Sequence, residues 1–347
     1  MNRILMEDLD AIIASDIQWE KLKGKHIMIT GASGMVGSYM LYVALRLNDR
    51  KNYGIQVLAV MRNPGKLPED VRERADVTVI TQDVTKPFSV DAPVDYLIHA
   101  ASPASPLIMQ NYPVETIAAN TLGTFYTLSL AKDKNASGYL FISSREIYGQ
   151  PDENQEFFTE DTYGFVDQLN PRSCYSEGKK AAETMCVDFA VEYGLNTKIA
   201  RLAHTYGPGM SIYDGRVQAD FLNNVYHNED IVLKSTGAAV RTYTYIADAI
   251  IGLYKILLDS PEQVYNVGNE FGKVSIRELA EILVDIYPER GLKLVFDIPE
   301  GGTKGTAPYT LGILSSEKLR TLGWEPKYSV KDGFARTLKY LEIEQVD

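Results

Sequence analysis

The sequence predicts an α/β fold with a doubly wound parallel sheet and a smaller C-terminal lobe. Three observations lead to this prediction. Short apolar runs alternate with amphipathic stretches from Lys25 onward, which is the β-α-β pattern of a parallel sheet. After Ala203 the chain becomes richer in Gly, Tyr and turn residues before helical periodicity returns. The length of 347 residues also exceeds the usual size of a single hydrophobic core.

The apolar runs define the expected elements in order. Strand-like segments are His26–Thr30, Gln56–Val60, Val77–Ile80, Tyr96–Ala100, Tyr139–Ser143 and Lys198–Leu202. Helical periodicity returns later at Ile246–Leu258, Ser275–Ile286 and Asp332–Leu341. We therefore expect a helical extension over residues 1–24, a first domain over 25–202 and a mainly separate lobe over 203–347, with 246–268 returning to the first domain. Because ligands of open α/β sheets bind at the carboxyl edge, the lobe is expected to cover that edge and bind substrate.

The charge of the chain excludes nucleic acid polymers as partners. The formal net charge is -11, and no Lys/Arg cluster interrupts it, so the long-range field repels polyphosphate polymers. A small phosphorylated ligand is still compatible, because backbone amides and one or two Arg side chains can hold a diphosphate.

Cysteine usage and the N-terminal sequence indicate a cytoplasmic protein. Only Cys174 and Cys186 occur, too few for a disulfide framework or a metal-ligand cluster, so we expect a reducing compartment and no metal site. Met1–Leu22 is acidic and amphipathic and lacks the features of a signal peptide, and no stretch approaches a membrane span. We expect a surface-packed helix there and no membrane partner.

A glycine-rich turn follows the first predicted strand. Gly31, Gly34 and Gly37 lie between that strand and the helical stretch Ser38–Leu47. Such glycines permit a tight turn, close approach of a pyrophosphate and close helix-strand packing, while the helix N-terminus supplies partial positive charge. Because a strand precedes the turn and a helix follows it, the turn predicts a dinucleotide-binding domain of the Rossmann type.

The spacing of these glycines resembles the TGxxGxxG loop of the short-chain dehydrogenase/reductase superfamily. The resemblance implies that Asp83, after the third strand, contacts the adenine of the cofactor. It implies further cofactor contacts from Ser33, Met35, Val36, Val84, Ala100, Ala101, Ser102 and Asn120.

The end of the second strand bears on the choice between NAD and NADP. An acidic residue there holds the ribose 2′-hydroxyl of NAD, whereas an Arg accommodates the 2′-phosphate of NADP. The sequence has Arg62 and no carboxylate at this point, which favours NADP. Arg can also stack on adenine, so both cofactors stay open.

Tyr175 and Lys179 form a candidate acid/base pair. They lie one helical turn apart on one face of a predicted helix. An ammonium and a cationic nicotinamide ring would stabilise the Tyr175 phenolate, and Lys179 would also hold the nicotinamide ribose. Ser144 lies at the carboxyl end of the fifth strand, where it can bind a substrate hydroxyl while Tyr175 removes the proton. Hydride transfer from a carbinol carbon to the nicotinamide follows from this arrangement.

From about Lys25 to the C-terminus the chain resembles the extended short-chain dehydrogenases that modify nucleotide sugars, above all UDP-glucuronate decarboxylases and dTDP-glucose 4,6-dehydratases. The matching motifs are His99-Ala100-Ala101-Ser102-Pro103-Ala104-Ser105-Pro106, Asn120-Thr121-Leu122-Gly123-Thr124, Cys174–Glu183, Thr205-Tyr206-Gly207-Pro208, Asp214-Gly215-Arg216-Val217 and Tyr265-Asn266-Val267-Gly268. The resemblance implies that the sugar C4 hydroxyl is oxidised to a 4-keto intermediate. It also implies a homodimer formed by the helices that start near Pro113 and Arg172.

The resemblance assigns further residues to the site. Glu146 matches the acidic residue beside the catalytic Ser/Thr, and Arg241 matches an Arg that contacts the phosphate or sugar of the substrate. Arg216, in its matching motif, and His204 are placed beside the substrate as well, His204 without a catalytic role.

Three positions depart from the family pattern. Arg145 stands where dehydratases have an acidic residue and decarboxylases a small Ser, and an Arg cannot donate a proton at ordinary pH. Met109 replaces a Tyr that meets glucuronate, and His204 replaces an Asn. Arg145 could instead pair with an anionic sugar.

Several functions therefore stay open. The leading interpretation is an NAD(P)-dependent nucleotide-sugar enzyme of the epimerase/dehydratase class. The alternatives are a UDP-glucuronate decarboxylase, an NADP-dependent nucleotide-sugar reductase, which Arg62 favours, and a non-catalytic dinucleotide-binding regulator. The presence of Ser144, Tyr175 and Lys179 argues against the regulator.

Overall fold

The computed structural model describes residues 2–151, 155–298 and 313–344. Its strands are β1 (His26–Thr30), β2 (Gln56–Met61), β3 (Val77–Thr81), β4 (Tyr96–His99), β5 (Gly138–Ser144), β6 (Phe157–Phe158), β7 (Thr197–Leu202), β8 (His204–Tyr206), β9 (Ile231–Leu233), β10 (Val240–Tyr245), β11 (Val264–Val267), β12 (Lys273–Ser275), β13 (Leu294–Phe296) and β14 (Ile313–Leu314). Its helices are α1 (Arg3–Ile13), α2 (Met35–Lys51), α3 (Glu69–Arg72), α4 (Pro106–Asn111), α5 (Pro113–Asp133), α6 (Ser173–Tyr193), α7 (Val217–Tyr226), α8 (Ile246–Leu258), α9 (Ile276–Val284), α10 (Glu317–Arg320) and α11 (Val330–Glu344).

A seven-stranded parallel sheet forms the centre of the molecule. Its order is β11-β7-β5-β4-β1-β2-β3, and every neighbouring pair is parallel. The predicted α/β fold with a doubly wound sheet is thereby confirmed. All six predicted strands lie in this sheet, each end within one residue of its predicted position. The strand order reverses direction at β1, so the crevice for a ligand lies beyond the carboxyl ends of β1 and β4.

The last strand of the sheet comes from far along the chain. Helix α8 has the bounds that its periodicity predicts, and β11 follows it and pairs with β7. All residues of α8 are buried, because the sheet lies on one side and α1 packs on the other. A helix that is buried all round and mainly apolar needs such cover on both sides. The N-terminal helix therefore contributes to the main core.

Most elements after β7 lie outside the central sheet and form what we call the C-terminal lobe. Strand β10 pairs in parallel with β8 and antiparallel with β12, while α7, α9 and α11 pack against one another. Stacked aromatic rings fill its interior, with Tyr206 lying 4.0 Å from Phe334 between ring centroids. The part of the chain that the structure describes contains no helix long and apolar enough to cross a membrane.

A buried carboxylate joins the first and last helices to the core. Asp8 of α1 is fully buried and accepts hydrogen bonds from the hydroxyls of Tyr39, at 3.1 Å, and Tyr245, at 2.7 Å. Its other oxygen accepts from the guanidinium of Arg336 on α11, at 2.6 Å. One side chain thus connects α1 with α2, β10 and α11.

We expect Asp8→Ala to lower the free energy of unfolding by about 2–4 kcal/mol, since it leaves a partly buried cation and two buried hydroxyls without their partner. Glu7 also pairs with Arg336 but is more exposed, at 3.1 Å and 41% side-chain exposure. Glu7→Ala is therefore the matched control, with an expected loss below about 1 kcal/mol. Urea unfolding of both variants measures the difference, and equal small losses would contradict the role of Asp8.

Candidate functional site

The glycine-rich turn between β1 and α2 forms a cradle of backbone. Gly31 has a φ of 68°, and a Cβ there would lie 2.8 Å from the backbone of Ala100. At Gly37 a Cβ would lie 2.2 Å from the carbonyl oxygen of Gly31. These two glycines are therefore required for the turn to close and for α2 to approach β1.

Gly34 differs from its two neighbours in this turn. A Cβ there would meet only the Gly31 carbonyl oxygen, at 3.3 Å, so the fold tolerates a side chain better. Gly34 is also the N-cap of α2, and no side chain caps the helix. The first N–H groups of α2 are free for an anion, so the turn fits the diphosphate of a dinucleotide.

The other residues predicted to bind the cofactor surround this turn. Ser33, Met35 and Val36 belong to the turn and the start of α2. Ala100 and Ala101 follow β4 and face Gly31, as the short contacts of its Cβ position indicate.

Ser102 and Asn120 meet at the same edge of the sheet. The Ser102 hydroxyl donates to the Asn120 side-chain oxygen at 2.7 Å, and Asn120 itself is buried in α5. A Cβ at Gly178 of α6 would lie 3.0 Å from the Asn120 Cβ. Asn120 thereby links the segment after β4 to the helix that carries Tyr175.

Arg62 and Asp83 lie beyond the ends of β2 and β3. The Asp83 carboxylate accepts hydrogen bonds from the backbone N–H and the hydroxyl of Thr85, both at 2.9 Å. The Thr85 backbone bond is the main cause that lowers the Asp83 pKa, and the nearby charge of Arg62 contributes. Val84 is buried and packs against Gly123 of α5, where a Cβ would lie 3.0 Å from the Val84 side chain. The Arg62 side chain is exposed.

The three residues of the predicted acid/base group come together at the carboxyl end of β5. Tyr175 lies in the first turn of α6 and Lys179 one turn later, and the Ser144 hydroxyl is near enough to the Tyr175 phenol to lower its pKa. The Lys179 Nζ donates to the carbonyl oxygen of Ile142 at 2.6 Å. It lies 5.7 Å from the centroid of the Tyr175 ring.

Burial controls the protonation of this group. It raises the pKa of Tyr175 to about 12, with the charge of Glu146 adding to the rise and the Ser144 hydrogen bond opposing it. It lowers the pKa of Lys179 to about 7, against the attraction of Glu183. A bound cation near the phenol would lower the pKa of Tyr175 toward the range useful for a base.

Glu183 supports the site and was not singled out in the sequence. Its carboxylate accepts from the Ser143 hydroxyl and from Arg201, whose Nη2 lies 2.7 Å away. Tyr175, Lys179 and Glu183 are each four residues apart along α6, and this periodicity was the available signal.

His99 is a second buried polar residue that the sequence did not single out as a site residue. Its Nδ1 lies 2.7 Å from the Thr30 hydroxyl, and its Nε2 has no hydrogen-bond partner among the described residues. Burial lowers its pKa to about 3, and the charge of Lys179 adds to the effect. The ring is therefore neutral beside the catalytic group.

The residues predicted to bind substrate also converge. Burial lowers the pKa of His204 well below its ordinary value, and the charges of Arg145, Arg241 and Arg216 add to this effect. These side chains come from the 3-10 helix after β5, from β8 and β10, and from the N-cap of α7. Glu146 lies at the edge of the group, where it pairs with Arg172 at 2.8 Å.

The C-terminal lobe meets the first domain around this space. Ser105 donates to the carbonyl oxygen of Asp214 at 3.0 Å, and Leu107 lies against Gly215. Met109 is buried in α4, close to the turn of α6 that bears Tyr175. Within residues 2–151, 155–298 and 313–344, no group of three or more His, Cys, Asp or Glu side chains could hold a metal ion.

Known proteins resemble this chain in sequence and in fold. UDP-glucuronic acid decarboxylase 6 of Arabidopsis thaliana is 32% identical over 311 residues, which cover 88% of this chain and 86% of that protein. The solved UDP-glucose 4-epimerase of Thermotoga maritima, with UDP-glucose, matches with a TM-score of 0.76 at 23% identity, over 93% of this chain and 100% of that one. UDP-glucuronic acid 4-epimerase of Bacillus cereus, in complex with UDP-glucuronic acid and NAD, matches with a TM-score of 0.72 at 20% identity, over 93% and 100%.

Residues 27–268 match the model of a family described as the NAD dependent epimerase/dehydratase family. The match spans the parallel sheet, the glycine-rich turn and the Ser144, Tyr175 and Lys179 group. The resemblance drawn from the motifs is confirmed. This chain belongs to the NAD dependent epimerase/dehydratase family, a family of enzymes that act on nucleotide sugars.

Proposed function

We propose that the protein binds a nucleotide-activated sugar and oxidises its C4 hydroxyl to a 4-keto intermediate. The observation that carries the proposal is the proximity of Ser144, Tyr175 and Lys179 at the carboxyl end of β5, where the Lys179 Nζ lies 5.7 Å from the centroid of the Tyr175 ring. The glycine-rich turn lies at the same edge of the sheet. The named relatives act on or bind UDP-sugars, which supports this class of substrate.

Ser144, Tyr175 and Lys179 have separate roles in the proposed reaction. Ser144 orients the C4 hydroxyl, and Tyr175 accepts its proton at the phenol oxygen. Lys179, fixed by its bond to the Ile142 carbonyl, stabilises the phenolate electrostatically. A bound nicotinamide cofactor supplies the hydride acceptor. Burial of Tyr175 and Lys179 keeps water away from the transferred proton.

The choice of cofactor is part of the proposal. The turn fits a dinucleotide diphosphate, and the family is NAD dependent. Arg62 is exposed after β2, at the position where NAD-binding proteins have an acidic residue. This substitution supports binding of the 2′-phosphate of NADP. NAD and NADP are therefore both proposed ligands, with Arg62 favouring NADP.

Decarboxylation is the second candidate for the step that follows oxidation. Relatives at 30–32% identity are UDP-glucuronic acid decarboxylases, which supports it. Arg145 and Met109 depart from the decarboxylase pattern at positions that face the sugar. Arg145 also replaces the acidic residue of the dehydratases, so the leading proposal is an epimerase/dehydratase-class enzyme that forms the 4-keto intermediate, with its second step left open.

We expect Gly34→Asp to abolish cofactor binding, because its carboxylate would crowd and repel the diphosphate at the N-terminus of α2. Asn135→Asp is the matched control: it adds the same charge in the turn before β5, at the opposite edge of the sheet. Calorimetric titration with NAD and with NADP measures both variants. Unchanged affinity in Gly34→Asp would remove the turn from the cofactor site.

We expect Tyr175→Phe to reduce turnover by about 100- to 10,000-fold, since only the acid/base hydroxyl is lost. Nucleotide-sugar affinity should change little, because the buried ring is retained. Tyr193→Phe removes a half-exposed hydroxyl from the end of the same helix and is the control. The measurement is product formation by mass spectrometry, and full turnover by Tyr175→Phe would leave a binding protein as the better interpretation.

We also propose that two copies pair through α5 and α6. These neighbouring helices leave apolar side chains exposed to solvent, namely Val114, Ile117, Leu122, Phe125, Val187 and Val191. A continuous exposed apolar face of this kind is typical of an interface. Its position agrees with the homodimer that the family resemblance implies.

Phe125→Glu should therefore yield monomers, since it places a charge in the centre of this face. Phe271→Glu is the matched control, because Phe271 is exposed on the C-terminal lobe, away from α5 and α6. Light scattering at micromolar concentration gives the mass of each variant. A monomeric wild-type protein would refute the dimer.

A further inference from the structure

Arg145 is a buried cation without a partner. Its relative exposure is 7%, and its Nε makes no hydrogen bond. No acidic side chain among the described residues lies within ion-pair distance of its guanidinium. A buried charge of this kind is strongly disfavoured unless something pairs with it. Buried polar groups that lack a partner in a native structure call for a functional explanation.

The residues around Arg145 do not neutralise it. The nearest carboxylate, Glu146, is engaged with Arg172, and Asp214 is engaged with Arg216. His204 is neutral, because burial and these cations lower its pKa well below the ordinary value. The region around Arg145 therefore carries net positive charge, although the whole chain has a net charge of -11.

A second unpaired cation lies close by. The Arg241 guanidinium bonds only the neighbouring carbonyl of Val240, at 2.7 Å, and its charge adds to the burial that lowers the pKa of Arg145 to about 10. Two further polar atoms beside them have no hydrogen-bond partner in the described parts of the chain, the Nδ1 of His204 and the hydroxyl of Tyr243. Their rings lie 6.1 Å apart on paired strands. The space between these side chains is thus lined for a polar, anionic ligand.

The two cations occupy different depths of the site. Arg241 is only half-buried on a strand of the C-terminal lobe and matches an Arg that meets the substrate's phosphate or sugar. Arg145 is deeper and directly follows Ser144, the residue that we assign to the C4 hydroxyl. If Arg241 binds the diphosphate of the substrate, then Arg145 lies on the side of its sugar ring. The ring must then carry an anion of its own.

We propose that Arg145 binds a carboxylate on the sugar ring, so that the substrate is a nucleotide-activated uronic acid. The inference rests on the proposed function and adds the class of sugar and the residue that selects it. A guanidinium can bind a carboxylate through two parallel hydrogen bonds, which makes the contact specific for an acidic sugar. A neutral hexose would leave the buried cation without a partner, and that penalty would reject it.

The first experiment compares acidic and neutral sugars on the wild-type protein. Calorimetry first ranks UDP, CDP, GDP and dTDP, and the tightest of them defines the nucleotide. Its glucuronate and galacturonate esters are then compared with its glucose and galactose esters. We expect the uronates to bind at least about tenfold more tightly. Equal affinities for acidic and neutral sugars would overturn the proposal.

Two variants assign the selectivity to one residue. Arg145→Met should remove the preference for uronates, because it weakens uronate binding and removes the unpaired charge that rejects neutral sugars. Arg241→Met, the matched control, should weaken both kinds of sugar by similar factors, because each carries the diphosphate. If Arg145→Met also weakens both equally, Arg145 binds the diphosphate and the proposal is wrong.

Thermal unfolding gives a second, independent readout. If Arg145 serves a ligand, then Arg145→Met should raise the Tm of the ligand-free protein, because a buried unpaired charge is removed. A structural role would lower the Tm instead and would contradict the proposal. Failure of the proposed function gives a different result from failure of this inference. In that case no nucleoside diphosphate binds, or the bound sugars are not oxidised, whether they are acidic or neutral.

Discussion

The bond from Lys179 to the carbonyl oxygen of Ile142 is the contact on which the proposed catalytic arrangement depends. It fixes α6 to the carboxyl end of β5, and so sets the position of Tyr175 against Ser144. Glu183, one turn further, holds Ser143 and Arg201 and secures the same helix to β5 and β7. Since the Lys179 ammonium is buried, its charge acts on the phenol through a medium of low polarity, where electrostatic effects are large.

The group of Arg145, Arg216 and Arg241 is positively charged, whereas the whole chain has a net negative charge. The net negative charge of the chain repels polyanions over long distances, whereas Arg145, Arg216 and Arg241 act at short range on a ligand within the site. The approach of a ligand and the selection of a ligand therefore depend on different charges. In the proposed function, small anionic ligands reach the site by diffusion, and these cations then distinguish among them.

Much of the fold could be predicted from the sequence, because parallel strands buried on both faces appear as continuous apolar runs. The six predicted strands and α8 demonstrate this. The turn at Gly31 and the group around Tyr175 were predictable because their chemistry depends on short spacings. The partner of Asp8 was not, since Arg336 lies 328 residues away. The missing partner of Arg145 was equally hidden, because only the packed structure shows which carboxylates are already engaged.

The connection between α1 and α11 bears on how the chain reaches its native state. Helix α1 is synthesised long before α11, yet Asp8 must wait for Arg336, and Asn2 bonds the backbone of Tyr340 at 3.0 Å. Until α11 is made, the apolar side of α1 lacks part of its cover. Contacts of such long sequence separation form late, because loop closure must come first. Synthesis therefore proceeds with an incomplete core until α11 has been made.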